Sequence, residues 1–284
     1  MRETAVLTIQ CPDQPGIVAK ISTWVFEHQA NITRSDQYST DPIKGQFFMR
    51  LEFCFDSDAY TKQQLEKDFK TLADPMHCQW EIYYKSEKLR FAILVSQHDH
   101  CLLDLLYHWH AEEIAGEITA VISNHPDCER LADQHQLLFY HLPISKNTKQ
   151  QQEQELFSLV DDVSDFLVLA RYMQILTPEF LALYGRDIIN IHHSFLPSFI
   201  GAEPYHQAHE RGVKLIGATA HYVTQQLDEG PIIEQSVESV SHHDDVNSLI
   251  RKGKHIEKHT LVKAVIAHCE HRVMRLDNKT IVFE

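Results

Sequence analysis

Glycine is scarce in this chain: nine occur among 284 residues, and no two of them are separated by a single residue. The GxGxxG fingerprint of dinucleotide-binding folds and the GxxxxGK phosphate loop are therefore both absent. These absences argue against a nicotinamide oxidoreductase and a nucleoside triphosphatase. Most of the glycines lie between Gly185 and Gly230, which predicts loops in this region that need unusual backbone angles or a close approach to a ligand.

Basic residues are also few in this chain. The 26 Lys and Arg are outnumbered by 40 Asp and Glu, so the formal net charge is -14. Because binding to nucleic acid requires clustered positive charge, we expect no nucleic-acid partner. No charge-free apolar run approaches the roughly 18 residues that cross a bilayer, and the sequence after Met1 does not resemble a signal peptide. We therefore expect a cytoplasmic protein that handles small molecules and has no membrane partner.

Patterns for metal sites and disulfides are missing as well. The six cysteines include no CxxC pair, and their scatter predicts reduced thiols rather than a disulfide framework. The 20 histidines form no HExxH motif and no clear three-ligand spacing. Residues 242–245 (His-His-Asp-Asp) only superficially resemble a metal site, and His206 and His209 share one face of a helix by their spacing. The sequence thus predicts no metal.

The first part of the chain has strands and helices in the order βαββαβ, which is typical of a ferredoxin-like domain. Its strands are predicted at residues 4–10, 32–38, 46–55 and 79–84, and its helices at 17–29 and 61–72. A polar segment at 85–88 follows. The predicted domains therefore comprise residues 1–85 and 86–284.

The second part alternates strands with helices, which predicts an α/β fold with a Rossmann-like, mostly parallel sheet covered on both faces. Its strands are expected at residues 89–95, 118–123, 137–142, 166–170 and 188–192. The helices between them are expected at residues 100–113, 126–134, 150–161 and 178–184. After Gly217 the pattern becomes antiparallel, with strands at 218–223 and 232–240, a long helix at 244–272 and a final strand at 280–283. Ligands of such folds bind at the carboxyl ends of the strands.

The segment 190–197, Asn-Ile-His-His-Ser-Phe-Leu-Pro, lies at one such strand end. Asn190 and His192 are two residues apart, so they project to the same face, whereas His193 points to the opposite face and its role stays open. An amide donor beside an imidazole can stabilise an oxyanion and move a proton. Asp228 follows in a turn before another apolar strand. Convergence of these three groups would suit transfer or hydrolysis of an acyl-level group without metal.

Three motifs carry a resemblance to the folate-dependent formyltransferase superfamily. They are residues 190–197, residues 217–224 (Gly-Ala-Thr-Ala-His-Tyr-Val-Thr) and residues 227–233 (Leu-Asp-Glu-Gly-Pro-Ile-Ile). Within that superfamily the chain is most similar to the members that hydrolyse formyltetrahydrofolate, which also carry an ACT domain ahead of the formyltransferase-type domain. The turn at residues 12–16, with Asp13 and Gly16, resembles the Asp-x-x-Gly signature of ACT domains.

The resemblance implies which residues act on the substrate. Asn190, His192 and Asp228 are expected to be catalytic, with the division of proton transfer between His192 and Asp228 left open. The substrate-binding residues are expected to be Met173, Gln174, Ile175, Leu176 and Val223. No cofactor is implied, because formyltetrahydrofolate is itself the substrate. The formate released would supply purine synthesis and balance the one-carbon folate pool.

The resemblance also implies regulation, in which Asp13 and Gly16 bind an effector such as glycine or methionine. It further implies a homo-oligomer, with a tetramer favoured. The residues that bind the glutamyl tail of folate are not identified.

Other functions remain as alternatives. One is a formyltransferase with a small amine acceptor, but residues 96–101 (Ser-Gln-His-Asp-His-Cys) lack the glycines that cradle the acceptor's phosphate in glycinamide ribonucleotide formyltransferase. Water is therefore the simplest acceptor. Transfer to initiator tRNA conflicts with the acidic composition. An amino-acid-responsive binding protein with an idle catalytic domain is disfavoured by the presence of Asn190, His192 and Asp228.

Overall fold

The computed structural model describes residues 1–41, 43–145, 147–196 and 204–284, which form two compact units. The first unit comprises Met1–Lys88, His271–Met274 and Ile281–Glu284, and the second comprises Leu89–Glu270 and Arg275–Thr280. The sequence assigned all of 86–284 to the second domain, whereas two short C-terminal segments group with the first unit. Within the first unit, His271 stacks on Tyr83 with 3.5 Å between the ring centroids.

The first unit is a four-stranded antiparallel sheet with two helices. Its strands are β1 (Arg2–Pro12), β2 (Asn31–Ser39), β3 (Gln46–Asp56) and β4 (Gln79–Tyr84), and its helices are α1 (Ile17–Glu27) and α2 (Lys62–Ala73). The spatial order is β2-β3-β1-β4, as the ferredoxin-like order predicts. Alternate residues of the central strands, among them Leu7, Leu51 and Phe53, are fully buried in a core that also contains Trp24 and Phe69.

The second unit is built around a seven-stranded sheet. Its strands are β5 (Leu89–Val95), β6 (Gly116–Ser123), β7 (Phe139–His141), β8 (Phe166–Leu169), β9 (Asp187–His192), β10 (Leu215–Tyr222) and β11 (Ile232–Ser239). Their order is β11-β10-β9-β8-β5-β6-β7. Strands β5 to β9 pair in parallel, while β10 and β11 add antiparallel pairings at one edge. The predicted change to an antiparallel pattern is therefore confirmed.

The described residues of this unit include six helices. They are α3 (His100–His110), α4 (Glu129–Gln134), α5 (Lys149–Val160), α6 (Pro178–Tyr184), α7 (Pro204–Arg211) and α8 (Val246–Cys269). A hairpin of β12 (Val273–Leu276) and β13 (Lys279–Val282) ends the chain. The sequence predicted one helix over 244–272 and no strand β12, so that prediction was too long at its C-terminal end. Among the described helices, none is both long and apolar enough to cross a membrane.

The path of the chain through the sheet determines where a ligand fits. From β5 the chain moves outward through β6 and β7, then returns to place β8 and β9 on the other side of β5. The connections diverge between β5 and β8, and a crevice forms at the carboxyl ends of strands at such a point. Residues 91–95 and 166–168 at the centre of the sheet are fully buried, as expected for strands covered on both faces.

Candidate active site

A cavity of about 350 Å³ opens at the carboxyl ends of β8 and β9. Asn190, His192 and Asp228, the three residues predicted to be catalytic, all line it. The five residues predicted to bind substrate line it too: Met173, Gln174, Ile175, Leu176 and Val223. The structure thus brings together two parts of the sequence that were expected to cooperate, although they are far apart along the chain.

Strand pairing positions the amide and the imidazole. Strand β9 runs parallel to β8, with Leu169 beside Asn190, and antiparallel to β10, with Thr219 beside His192. Because side chains alternate along a strand, Asn190 and His192 project to the same face of the sheet. Both side chains therefore reach the same cavity from a rigid central strand.

His192 is held by a carboxylate on one side only. Its Nδ1 lies 3.2 Å from Oδ2 of Asp228. Its Nε2 is buried and has no hydrogen-bond partner within the described ranges 1–41, 43–145, 147–196 and 204–284. A carboxylate at Nδ1 fixes the ring so that Nδ1 carries the proton, which leaves Nε2 to accept or deliver a proton on the cavity side.

Asp228 lies in the turn that joins β10 to β11 and has a left-handed backbone, with φ of 57°. Asp adopts this conformation more readily than most residues because its short polar side chain can bond locally. Burial by itself would raise the pKa of Asp228, but the contacts with His192 and His221 outweigh burial and hold the pKa well below its ordinary value. The carboxylate is therefore ionised at neutral pH.

His221 completes this polar group, although no role was predicted for it from the sequence. Its Nε2 lies 3.6 Å from Oδ1 of Asp228 and 3.3 Å from Nδ2 of Asn190. Its Nδ1 lies 2.9 Å from the carbonyl oxygen of Tyr222, to which it donates. His221 sits directly opposite Asn190 in the antiparallel pair of β9 and β10. Pairing of the predicted strands would have found it, but the register was not known from the sequence.

His193 lies in the cavity beside His192, not on the opposite face as predicted. The two rings stack with 5.1 Å between their centroids. Strand β9 ends at His192, so the alternation of faces does not extend to the next residue. Burial, with smaller effects from the charges of Arg171 and His192, lowers the pKa of His193 to about 4. His193 is therefore neutral at pH 7.

The segment from Met173 to Leu176 leaves β8 and forms one wall of the cavity. Met173 and Ile175 are largely exposed there, while Leu176 is buried. The backbone N–H of Met173 donates to Oγ of Ser96, and the carbonyl of Ile175 accepts from Nζ of Lys149. These two backbone hydrogen bonds hold the wall in place.

Asp13 and Gly16, the residues predicted to bind an effector, lie in the first unit, between β1 and α1. The carboxylate of Asp13 accepts a hydrogen bond from Oγ of Ser39, and its backbone N–H donates to the carbonyl of Gly45 at 2.9 Å. Gly16 has a φ of 88° and precedes the first residue of α1, a conformation that glycine adopts without strain. These contacts order the turn at the start of α1.

One group of potential metal ligands occurs in the part of the chain that the structure describes: His100, Cys101 and Glu257, whose ligand atoms lie within 4.8 Å of one another. Burial raises the pKa of the Cys101 thiol well above its ordinary value, so the sulfur keeps its proton. The guanidinium of Arg171 also lies against Glu257, with Nε 3.5 Å from Oε2. A protonated thiol and a neighbouring cation suit an ion pair better than a metal site.

An amide, an imidazole and an ionised carboxylate around one cavity define a domain suited to chemistry at an acyl-level carbon. Comparison with known families agrees with this. The sequence profile of the family described as Formyl transferase matches residues 89–265, and the profile described as ACT domain matches residues 5–69.

Relatives match the chain over nearly its full length. The formyltetrahydrofolate deformylase of Synechocystis sp. is 49% identical over 281 residues, which cover 99% of this chain and 98% of that protein. The formyltetrahydrofolate deformylase of Bacillus subtilis is 47% identical, covering 98% and 93% of the two chains. The crystal structure of a formyltetrahydrofolate deformylase from Pseudomonas syringae pv. tomato has a TM-score of 0.93 at 44% identity, covering 100% of this chain and 95% of that one. The chain therefore belongs to the formyl transferase family and, within it, to the formyltetrahydrofolate deformylases. The predicted fold class and family resemblance are confirmed.

Proposed function

We propose that this chain hydrolyses 10-formyltetrahydrofolate to formate and tetrahydrofolate. The observation that carries the proposal is the arrangement of Asn190, His192 and Asp228 around one cavity, with the imidazole fixed by the carboxylate at 3.2 Å. The full-length similarity to deformylases supports the same reaction. Because the loop at residues 96–101 has no glycine, no phosphate cradle for an amine acceptor is expected there, and water is the acceptor.

The amide of Asn190 stabilises the intermediate. When water attacks the formyl carbon, negative charge develops on the formyl oxygen. The Asn190 amide nitrogen carries two N–H donors and lies 3.3 Å from Nε2 of His221. An N–H of this amide can donate to the oxyanion, and one such donor typically lowers the barrier by about 3 kcal/mol.

The imidazole of His192 carries the proton from water to the leaving nitrogen. With Nδ1–H directed at Asp228, the lone pair on Nε2 accepts the proton of the attacking water as the new C–O bond forms. The Asp228 carboxylate stabilises the imidazolium that results. Nε2 then returns the proton to N10 of the folate as the C–N bond breaks, which releases tetrahydrofolate and formate. In this mechanism Asp228 orients His192 and stabilises its positive charge. It is not the base.

An assay with 10-formyltetrahydrofolate alone tests the reaction. We expect tetrahydrofolate and formate in equal amounts, with no dependence on an added amine, followed by the absorbance of tetrahydrofolate and by a coupled formate assay. Because we propose that neither a metal nor a cofactor takes part, prior treatment with a strong chelator should leave the rate unchanged. Product formation only when an amine acceptor is supplied would favour the formyltransferase alternative instead.

We also propose that the first unit binds glycine or methionine near Asp13 and Gly16 and that the chain forms a homo-oligomer, with a tetramer as the first expectation. The match of residues 5–69 to the ACT domain supports this. Light scattering after size exclusion gives the subunit number, and calorimetric titration with each amino acid gives binding. An Asp13→Asn variant should weaken the binding while unregulated hydrolysis continues. If neither amino acid binds, the unit serves assembly alone.

A reducing compartment such as the cytoplasm suits the six unpaired cysteines.

A further inference from the structure

Arg171 introduces a positive charge at the edge of the catalytic cavity. It lies two residues after the end of β8 and lines the cavity together with Asn190, His192 and His193. Of the described residues that line this cavity, Arg171 is the only lysine or arginine. Its backbone is left-handed, with φ of 63°, a conformation that a long side chain adopts at a cost and that is frequent at functional sites. The protein as a whole is acidic, with a formal net charge of -14, whereas this edge of the cavity is positive.

The buried carboxylate of Glu257 contacts the guanidinium of this arginine. Oε2 of Glu257 lies 3.5 Å from Nε of Arg171, and only 1% of the Glu257 side chain is exposed. The same carboxylate accepts hydrogen bonds from the hydroxyl of Tyr205 at 2.6 Å and from Nε2 of His100 at 2.9 Å. Burial by itself would raise the pKa of Glu257, but these partners and Arg171 outweigh burial and lower it. The carboxylate is therefore a fixed anion.

The fit of Tyr205 shows that this cluster is closely packed. Gly253 on α8 faces the tyrosine, and a Cβ atom at that position would lie 2.0 Å from the Tyr205 hydroxyl oxygen. The absence of a side chain at Gly253 therefore leaves room for the Tyr205 hydroxyl to reach Glu257. Glu257 already accepts hydrogen bonds from Tyr205 and His100. Its contact with Arg171 is longer, at 3.5 Å.

The guanidinium has hydrogen-bonding capacity that the described part of the protein does not use. Nε and Nη1 of Arg171 are both buried, and neither has a hydrogen-bond partner among residues 1–41, 43–145, 147–196 and 204–284. Buried donors without partners are rare, because leaving them unsatisfied costs free energy. A guanidinium presents its N–H groups as a planar fork that matches the two oxygens of a carboxylate. Arg171 is thus ready to bind a small anion in the cavity.

We propose that Arg171 forms the subsite for the carboxylate product, formate, next to the catalytic trio. This inference rests on the proposed hydrolysis, in which the formyl carbon leaves the neighbourhood of His192 as a one-carbon carboxylate. The N–H groups of the guanidinium donate to the oxygens of formate, while Glu257, whose Oε2 lies 3.5 Å from Nε, holds the side chain in place. Formate is therefore a product inhibitor that binds beside Arg171. The positive charge of this subsite also disfavours the ammonium group of an amine acceptor.

Inhibition by sodium formate tests the subsite, with sodium chloride at equal ionic strength as the salt control. Formate should slow hydrolysis by the native protein more than chloride does. In Arg171→Gln the inhibition constant for formate should rise about tenfold or more, as expected for loss of a charged hydrogen bond. Arg130→Gln removes an exposed arginine outside the cavity and should leave the constant unchanged. Arg171→Lys keeps the charge but not the fork, so its constant should fall between native and Gln.

A binding measurement separates this subsite from the reaction itself. Line broadening of ¹³C-formate by the protein reports binding without turnover, and it should be lost in Arg171→Gln but kept in Arg130→Gln. If the native protein hydrolyses 10-formyltetrahydrofolate yet neither inhibition nor broadening responds to Arg171, the formate subsite is wrong while the hydrolase stands. If the protein broadens formate through Arg171 but does not hydrolyse the folate, the reaction is wrong and the anion site stands.

Discussion

At the scale of single residues, the site depends on how Asp228 is presented. The carboxylate must reach His192 Nδ1 from a turn, and the left-handed backbone with φ of 57° directs it there. Its lowered pKa keeps it charged, so that a protonated His192 is always paired with an anion. Conformation and ionisation of one residue thus set the state of the imidazole.

Replacing Asp228 by Asn isolates this charge. Asn also tolerates the left-handed conformation, so the fold of the turn should persist while the negative charge is lost. We expect kcat to fall about 10²- to 10⁴-fold, the usual contribution of a proton-transfer group, with little change in binding of tetrahydrofolate. Steady-state kinetics and a fluorescence titration measure the two effects.

The neighbouring exposed Glu229 provides the matched control. Glu229→Gln removes the same charge one residue away, and it should retain the native kcat. Native turnover in Asp228→Asn, or equal losses in both variants, would show that Asp228 does not govern proton transfer.

How much of the site was predictable differs from residue to residue. Asn190 and His192 share a face through the two-residue period of a strand, which the sequence displays directly. His221 was missed because its neighbour Asn190 lies on a paired strand, and register is a tertiary property. Arg171 was missed for a similar reason: its partner Glu257 belongs to a distant helix.

At the scale of elements, the β10–β11 turn places Asp228. Gly230 lies in this turn where a Cβ atom would come within 1.7 Å of the carbonyl oxygen of Tyr222. The backbone N–H of Tyr222 donates to the carbonyl of Pro231 at 2.9 Å, which closes the turn at that point. The lack of a side chain at Gly230 therefore lets the two strands approach closely enough to support the turn that carries Asp228.

The variant Gly230→Ala should disturb both stability and catalysis. Overpacking against a backbone atom costs about 1–3 kcal/mol of unfolding free energy. Displacement of Asp228 by about 1 Å would lower kcat on the order of 10²-fold. Thermal unfolding and kinetics on the same preparation measure both.

Gly212 offers the comparison, because it has a φ of 62° and, apart from its chain neighbours, no atom of the described residues lies within 4 Å of its Cβ position. Gly212→Asn keeps the left-handed angle and should behave like the native protein. Near-native activity in Gly230→Ala would mean that the turn can relax without moving Asp228.

Most elements were predictable because their apolar periods are clear, but the end of α8 was not. The sequence pattern continues to residue 272, whereas the helix ends at Cys269 and His271 adopts a φ of 53°. A left-handed residue after a helix is usually Gly or Asn, so His271 gave no local stop signal. The strand β12 beyond it was therefore absorbed into the predicted helix.

At the scale of the whole molecule, a partly buried histidine links stability to pH. His268 packs against the ring of Phe166, with 4.4 Å between centroids, and its Nδ1 lies 2.8 Å from the Tyr222 hydroxyl. Burial lowers the pKa of His268 to about 4, below the value of roughly 6.5 for an unfolded chain. As pH falls through this interval, the unfolded state takes up a proton that the folded state excludes, so stability decreases.

We expect this histidine to remove up to ~1.4 kcal/mol of stability for each pH unit between about 6.5 and 4. His268→Gln keeps a polar partner for Tyr222 but cannot be protonated. Its thermal midpoint should therefore fall less steeply with acid than that of the native protein, when both are followed in steps from pH 7 to 4.5. Parallel curves for the two proteins would show that His268 does not control the acid limb.

The short C-terminal segments have a practical consequence for dividing the protein. Because residues 271–274 and 281–284 belong to the first unit while residues 275–280 belong to the second, no single cleavage point releases either half intact. A fragment that stops at Lys88 lacks His271, the residue that stacks on Tyr83. A fragment that starts at Leu89 contains residues 271–274 and 281–284 without the rest of the first unit. Grafting the first unit onto another protein would accordingly require transplanting both ends of the chain together.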